Sequence, residues 1–169
     1  MDIKRKSLYR ITLLAILLSA ALILGFVENL FNIAPGVPGI KLGLSNVVLL
    51  FTLYTLKISD AILLMVLKVL LSGFLFGNPM TISYGLAGGA LSFLGMLLTK
   101  KIPEISIVGV SMIGAVLHNT GQIILNMLIV QNTVLLSYLP VLVIVGLVTG
   151  LLTGFAAKLV LAHMKFMKT

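Results

Sequence analysis

His118, Gln122 and Asn126 stand four residues apart in the stretch GAVLHNTGQIILNM, with Asn119 next to the first. On a helix this spacing makes one polar stripe, with Asn119 on its flank. In an apolar setting each such group costs free energy unless it finds a hydrogen bond. A single interhelical hydrogen bond, worth about 0.6 kcal/mol in a membrane bundle, explains one such residue. Four on one side of a helix predict a lined cavity. With one histidine in the stripe and no acidic neighbour, no metal centre is expected there.

Lys68 is the second chemical signal. It lies about eight residues from each end of its apolar segment, hence about 12 Å from either surface at ~1.5 Å per residue. A lysine stem reaches roughly half that distance, so snorkelling alone does not free the ammonium. A cation at that depth costs on the order of 3 kcal/mol. The four acidic residues, Asp2, Glu28, Asp60 and Glu104, all stand near predicted helix ends, away from its level. Lys68 could bond carbonyls and neutral side chains purely for packing. It could instead face an internal cavity and meet an anionic ligand group, and ionisable groups inside membranes favour that second reading.

The elements that must position these side chains are apolar almost throughout. The chain has 169 residues, 60% hydrophobic and 9% charged, where soluble domains carry about 25% charged residues. Apolar runs of about 17–25 residues, long enough to cross hydrocarbon, tile the sequence. The expectation is an all-α integral membrane protein, one domain over 1–169. Its six helices fall near 8–27, 44–56, 60–76, 80–98, 105–130 and 135–161. Pro35, Pro38, Pro79 and Pro103 fall between helices, and Pro140 falls in the first turns of the sixth. The first segment has no small-residue cleavage pattern and reads as a retained helix. The absence of cysteine excludes disulfides and thiolate chemistry. No internal repeat is evident, so an inverted-repeat transporter is not supported.

Charge sets the expected orientation. The net charge is +8, but with both termini in the cytoplasm ten of the twelve cations fall inside, as the positive-inside rule requires. The basic excess is therefore topology and anionic-lipid affinity, not a nucleic-acid surface. Lys41 and Lys68 are the two exceptions. In this orientation Asn46, Ser72, Ser83, Gln122 and Asn126 gather in the outer half of the bundle, and the inner half is mostly aliphatic. That layout predicts a pocket open to the exterior of a prokaryotic plasma membrane. Lys68 would contact an anion, Lys41 would steer at the mouth, and His118, Asn119, Gln122 and Asn126 would orient polar groups. Asn46, Ser72 and Ser83 complete the candidate set, and the stretch Asn29–Gly43 is a candidate lid. Small residues at four-residue spacing, Gly146, Gly150 and Gly154 above all, mark close helix contacts.

The stretches GVPGIKLGLSNVVLLF and GAVLHNTGQ, with LKVLLSGFLFG and ISYGLAGGALSFLGM, resemble the family called heptaprenyl diphosphate synthase component I, or Gx transporter, over nearly the whole chain. That family in turn is similar to the S components of energy-coupling factor transporters. The resemblance implies six helices, an extracytoplasmic pocket for a small molecule, and uptake driven by a transmembrane T subunit and two ATPases. It also implies docking through small residues on the first helix, here Ala15 and Ser19, where a serine stands in place of one alanine. A quinone or isoprenoid precursor is the substrate this context suggests; a non-transporting subunit that recruits a soluble prenyl synthase is the alternative. Prenyl elongation itself needs aspartate clusters for magnesium and diphosphate. Two aspartates, Asp2 and Asp60, cannot build one, and no GxxxxGK[ST] loop exists. No catalysis and no cofactor are expected in this chain.

Overall fold

The computed structural model describes residues 3–30 and 43–166. Among them are six α-helices and one 3₁₀ helix: α1 (Ile3–Leu30), α2 (Leu44–Thr55), α3 (Ile58–Phe76), α4 (Pro79–Thr99), α5 (Ile107–Val130), the 3₁₀ segment Thr133–Tyr138, and α6 (Leu139–Phe166). No strand occurs among the described residues. Five segments are long and apolar enough to cross a membrane, so the chain is built as a multi-pass membrane protein. The outlier is α2. Its 12 residues rise about 18 Å, against about 30 Å of hydrocarbon.

Local chemistry sets the helix limits. Asn78 accepts the Thr81 N–H at 2.9 Å and Pro79 follows at the first helical position, so α4 starts one residue earlier than expected. Ser106 caps α5 through the Gly109 N–H at 3.2 Å, which moves that start from 105 to Ile107. The sixth helix begins at Leu139, not near 135. Pro140 has no N–H to give to the Leu136 carbonyl, which an α-helix running from 135 would need. The Leu139 N–H takes that carbonyl instead, and residues 133–138 close as a 3₁₀ turn. The first helix runs through Leu30, which places Glu28 in the helix and not in the following loop.

Two glycine seams hold half of the bundle together. A Cβ on Gly150 would stand 2.5 Å from the Met112 Cα, and one on Gly146 3.0 Å from the Val116 Cα, so α5 and α6 meet backbone to backbone. A Cβ on Gly121 would come within 2.8 Å of the Ala87 carbonyl, which locks α5 onto α4 in the same way. Polar clamps finish the other side. Arg10 on α1 donates to the buried Asp60 on α3, from Nε at 2.8 Å and again from Nη2, and Nη2 also reaches Ser59 at 3.2 Å. Lys100, just past α4, donates to the Leu53 carbonyl at 2.6 Å and lies 4.8 Å from the Tyr54 ring centroid. That lysine closes the C-terminal end of the short α2.

Because the α5–α6 seam leaves no room for a methyl, Gly150→Ala should lower stability by about 1–3 kcal/mol. Leu151→Ala, on the exposed face one residue away, should change it little. Thermal unfolding of the two variants in one detergent gives the comparison.

Candidate functional site

A cavity of 440 Å³ opens between the helices, and all six contribute to its wall. Along α5 the wall runs from Ser111 to Asn126, about 22 Å at ~1.5 Å per residue. It reaches the surface at the α3–α4 turn, where the exposed Asn78 and Met80 are part of it. Leu50, Val69, Met96 and Ile123 supply apolar wall between the polar groups.

The polar stripe of α5 faces this space. His118, Asn119, Gln122 and Asn126 all line it. Asn119 donates from Nδ2 to the Leu142 carbonyl at 2.9 Å, tying α5 to the start of α6, and Asn126 Oδ1 accepts from the Tyr84 hydroxyl at 3.1 Å. Both amides therefore bind the bundle as well as border the cavity. Away from the α3–α4 turn the wall carries hydroxyl groups among its apolar side chains, where the sequence led us to expect mostly aliphatic residues. Ser92, Ser111, Thr149 and Thr153 line it, and Ser111 and Thr153 share a hydrogen bond of 3.0 Å.

Lys68 lines the same cavity, and its Nζ donates to Asn46 Oδ1 at 2.7 Å. Asn46 sits in the first turn of α2, where its N–H closes on the Gly43 carbonyl at 2.8 Å. Gly43 itself has φ +75°, which glycine adopts freely, and an added Cβ would lie 3.6 Å from Thr153 Cγ2. Thr153 is near the midpoint of α6, so α2 starts inside the bundle and not at its rim. An orphan N–H of that start is met by Glu28 Oε1, which accepts from the Gly43 N–H. Glu28 is 5% exposed and lines the cavity. The sequence reading put Glu28 near a predicted helix end and did not count it among the site residues. The left-handed Gly43, which lets α2 begin this deep, leaves no signature in a loop containing several glycines.

The remaining candidates divide between the wall and other places. Ser72 lines the cavity. Ser83 does not appear in the wall; it is exposed and its hydroxyl donates to the Pro79 carbonyl at 3.1 Å. The cavity face of α4 passes through Thr81, Tyr84, Gly85, Ser92 and Met96, and a residue two after Thr81 is turned about 200° away from it. Lys41 and most of the proposed lid lie outside the described residues. Ala15 and Ser19 are exposed on the outer side of α1, where the Ser19 hydroxyl donates to the Ala15 carbonyl at 2.9 Å. Ala15 also borders a small apolar groove with Ile11, Leu14 and Leu18 of α1 and Leu63 and Leu67 of α3.

The model of the family heptaprenyl diphosphate synthase component I matches residues 17–160. The chain belongs to that family. No curated protein matches the chain, and neither does any solved structure.

The Lys68–Asn46 contact gives a direct test. A charged donor's hydrogen bond contributes about 1.5–3 kcal/mol, so Lys68→Met and Asn46→Leu should be non-additive by about that amount in a double-mutant cycle. Additive losses in unfolding free energy would show that the contact carries no energy.

Proposed function

We propose that this member of the heptaprenyl diphosphate synthase component I family is a substrate-binding membrane subunit. It takes up a small, partly apolar compound with an anionic group, and it works as S components do in energy-coupling factor importers. The observation that carries this reading is Lys68: a cation on a membrane-buried helix whose ammonium stands at the wall of a cavity large enough for a small molecule. Charges inside a membrane bundle are kept mainly for function, and an anionic ligand group in the cavity would meet this one. Asn46 orients the ammonium, His118 and Gln122 offer further polar contacts, and the apolar wall suits a hydrocarbon body, as in a quinone or isoprenoid precursor.

With the cationic ends of the helices in the cytoplasm, both termini are inside and the α3–α4 turn faces outward. The cavity then receives its ligand from outside the cell. Lys41 would steer the anion at the mouth, and Ala15 and Ser19 would present α1 to a T subunit, with ATP consumed by partner ATPases. The chain itself would perform no catalysis and hold no cofactor.

The family description supports a second reading, a non-transporting subunit that holds a soluble heptaprenyl diphosphate synthase at the membrane. Co-purification from native membranes separates the two: T and ATPase subunits for the first, a soluble synthase for the second. Under the first, native mass spectrometry of the purified protein should reveal a co-purified small molecule. Lys68→Met should lose it while remaining folded by thermal unfolding; undiminished occupancy in that variant would remove Lys68 from the site.

A further inference from the structure

We propose that Glu28 is a second ligand contact, and that the compound bound in the cavity is a zwitterion, presenting an ammonium to Glu28 beside the anion that Lys68 receives. The proposal rests on the reading of this cavity as a ligand site and names the class of compound it selects.

Glu28 is a carboxylate nineteen-twentieths removed from solvent, on the cavity wall. Its one structural duty among the described residues is to accept the Gly43 N–H through Oε1. A glutamine would offer the same acceptor without a charge. The dipole at the start of α2 favours an anion, but that gain is small beside the cost of withdrawing a full charge from water. A carboxylate has about four acceptor positions, and Gly43 fills one. The remaining capacity of Glu28 faces a space that a donor can enter.

The two charges also address one point. Glu28 holds Gly43 and Lys68 holds Asn46, and these two residues are joined by the first hydrogen bond of α2, Asn46 N to Gly43 O at 2.8 Å. A Cβ built on Gly43 would lie 3.3 Å from Asn46 Nδ2, so the residues the two charges hold are in contact, and both charges border one region of the cavity. A plain anion placed against Lys68 would stand close to the Glu28 carboxylate and be repelled by it. A molecule with both signs would meet each wall charge with its opposite, and the apolar wall beyond would take its body.

The test uses the full chain purified in detergent and a series of ω-amino carboxylates of increasing length, each paired with the carboxylate lacking the amine. At the length that fits, the amino carboxylate should raise the unfolding temperature and half-saturate at about tenfold lower concentration than its partner. Glu28→Gln, which keeps the acceptor for Gly43, should bring that ratio to about one by weakening only the amino compound. Equal or stronger binding of the plain carboxylate to wild type would overturn the proposal, as would a preference that survives Glu28→Gln, and either result leaves the cavity standing as an anion site. No response to any member of either series would instead overturn the ligand-site reading, and this inference with it. Should Glu28→Gln fail to fold, the wild-type preference decides alone.

Discussion

A helix too short to cross a bilayer must leave at least one end where water cannot reach it, and the protein has to supply partners from its own side chains. That constraint shapes this molecule. The 12 residues of α2 end inside the bundle on at least one side, and charged residues serve both ends: Glu28 takes an N–H at the start, Lys100 gives to a carbonyl at the finish. Each sign stands where the helix dipole favours it. The arrangement also bears on the cavity. A helix that begins beside the midpoint of α6 brings its first turn to the cavity wall, and Lys68, Asn46 and Glu28 line the cavity there.

The cavity is framed unequally. On one side α4, α5 and α6 meet through glycines so close that a single added carbon collides with backbone. On the other, α1 packs on α2 and α3 through leucines and alanines around Ala21, Leu49, Leu53 and Leu64, closed by the Arg10–Asp60 pair. The α5 stripe is thereby carried on a rigid wall, while Lys68 and Glu28 are carried on elements joined by side chains. Precise placement of the neutral hydrogen-bonding groups thus comes from backbone contact, and placement of the charged groups from the first turn of α2.

Much of this was legible because lipid allows few solutions. Apolar length alone marked the helices to within about five residues at each end, and the i, i+4, i+8 spacing from His118 to Asn126 marked a shared face that lines the cavity. What escaped reading depended on the angles and levels at which helices meet. Position along the predicted helices put Glu28 near a helix end, and put Ser83 with Ser72 in the outer half of the bundle. The fold instead brings Glu28 to a buried turn, and the phase of α4 takes Ser83 out of the wall. The start of α6 was misplaced for a local reason, the missing N–H of Pro140.

The seam between α4 and α5 has a consequence for how such chains can vary in length. Gly88 lies against the His118 carbonyl and Gln122 Cγ, Gly95 against Leu117, and Gly114 against Met96, so each small residue is matched to a partner on the facing helix. Inserting or deleting one residue anywhere between these pairs would swing every later side chain through about 100°, unseating the glycines and turning the histidine and glutamine outward together. Such changes are excluded from the paired region and confined to its borders, the 100–106 connection and the ends beyond Asn78 and Val130. Related chains should differ in length at those borders while the interval between the seams stays constant.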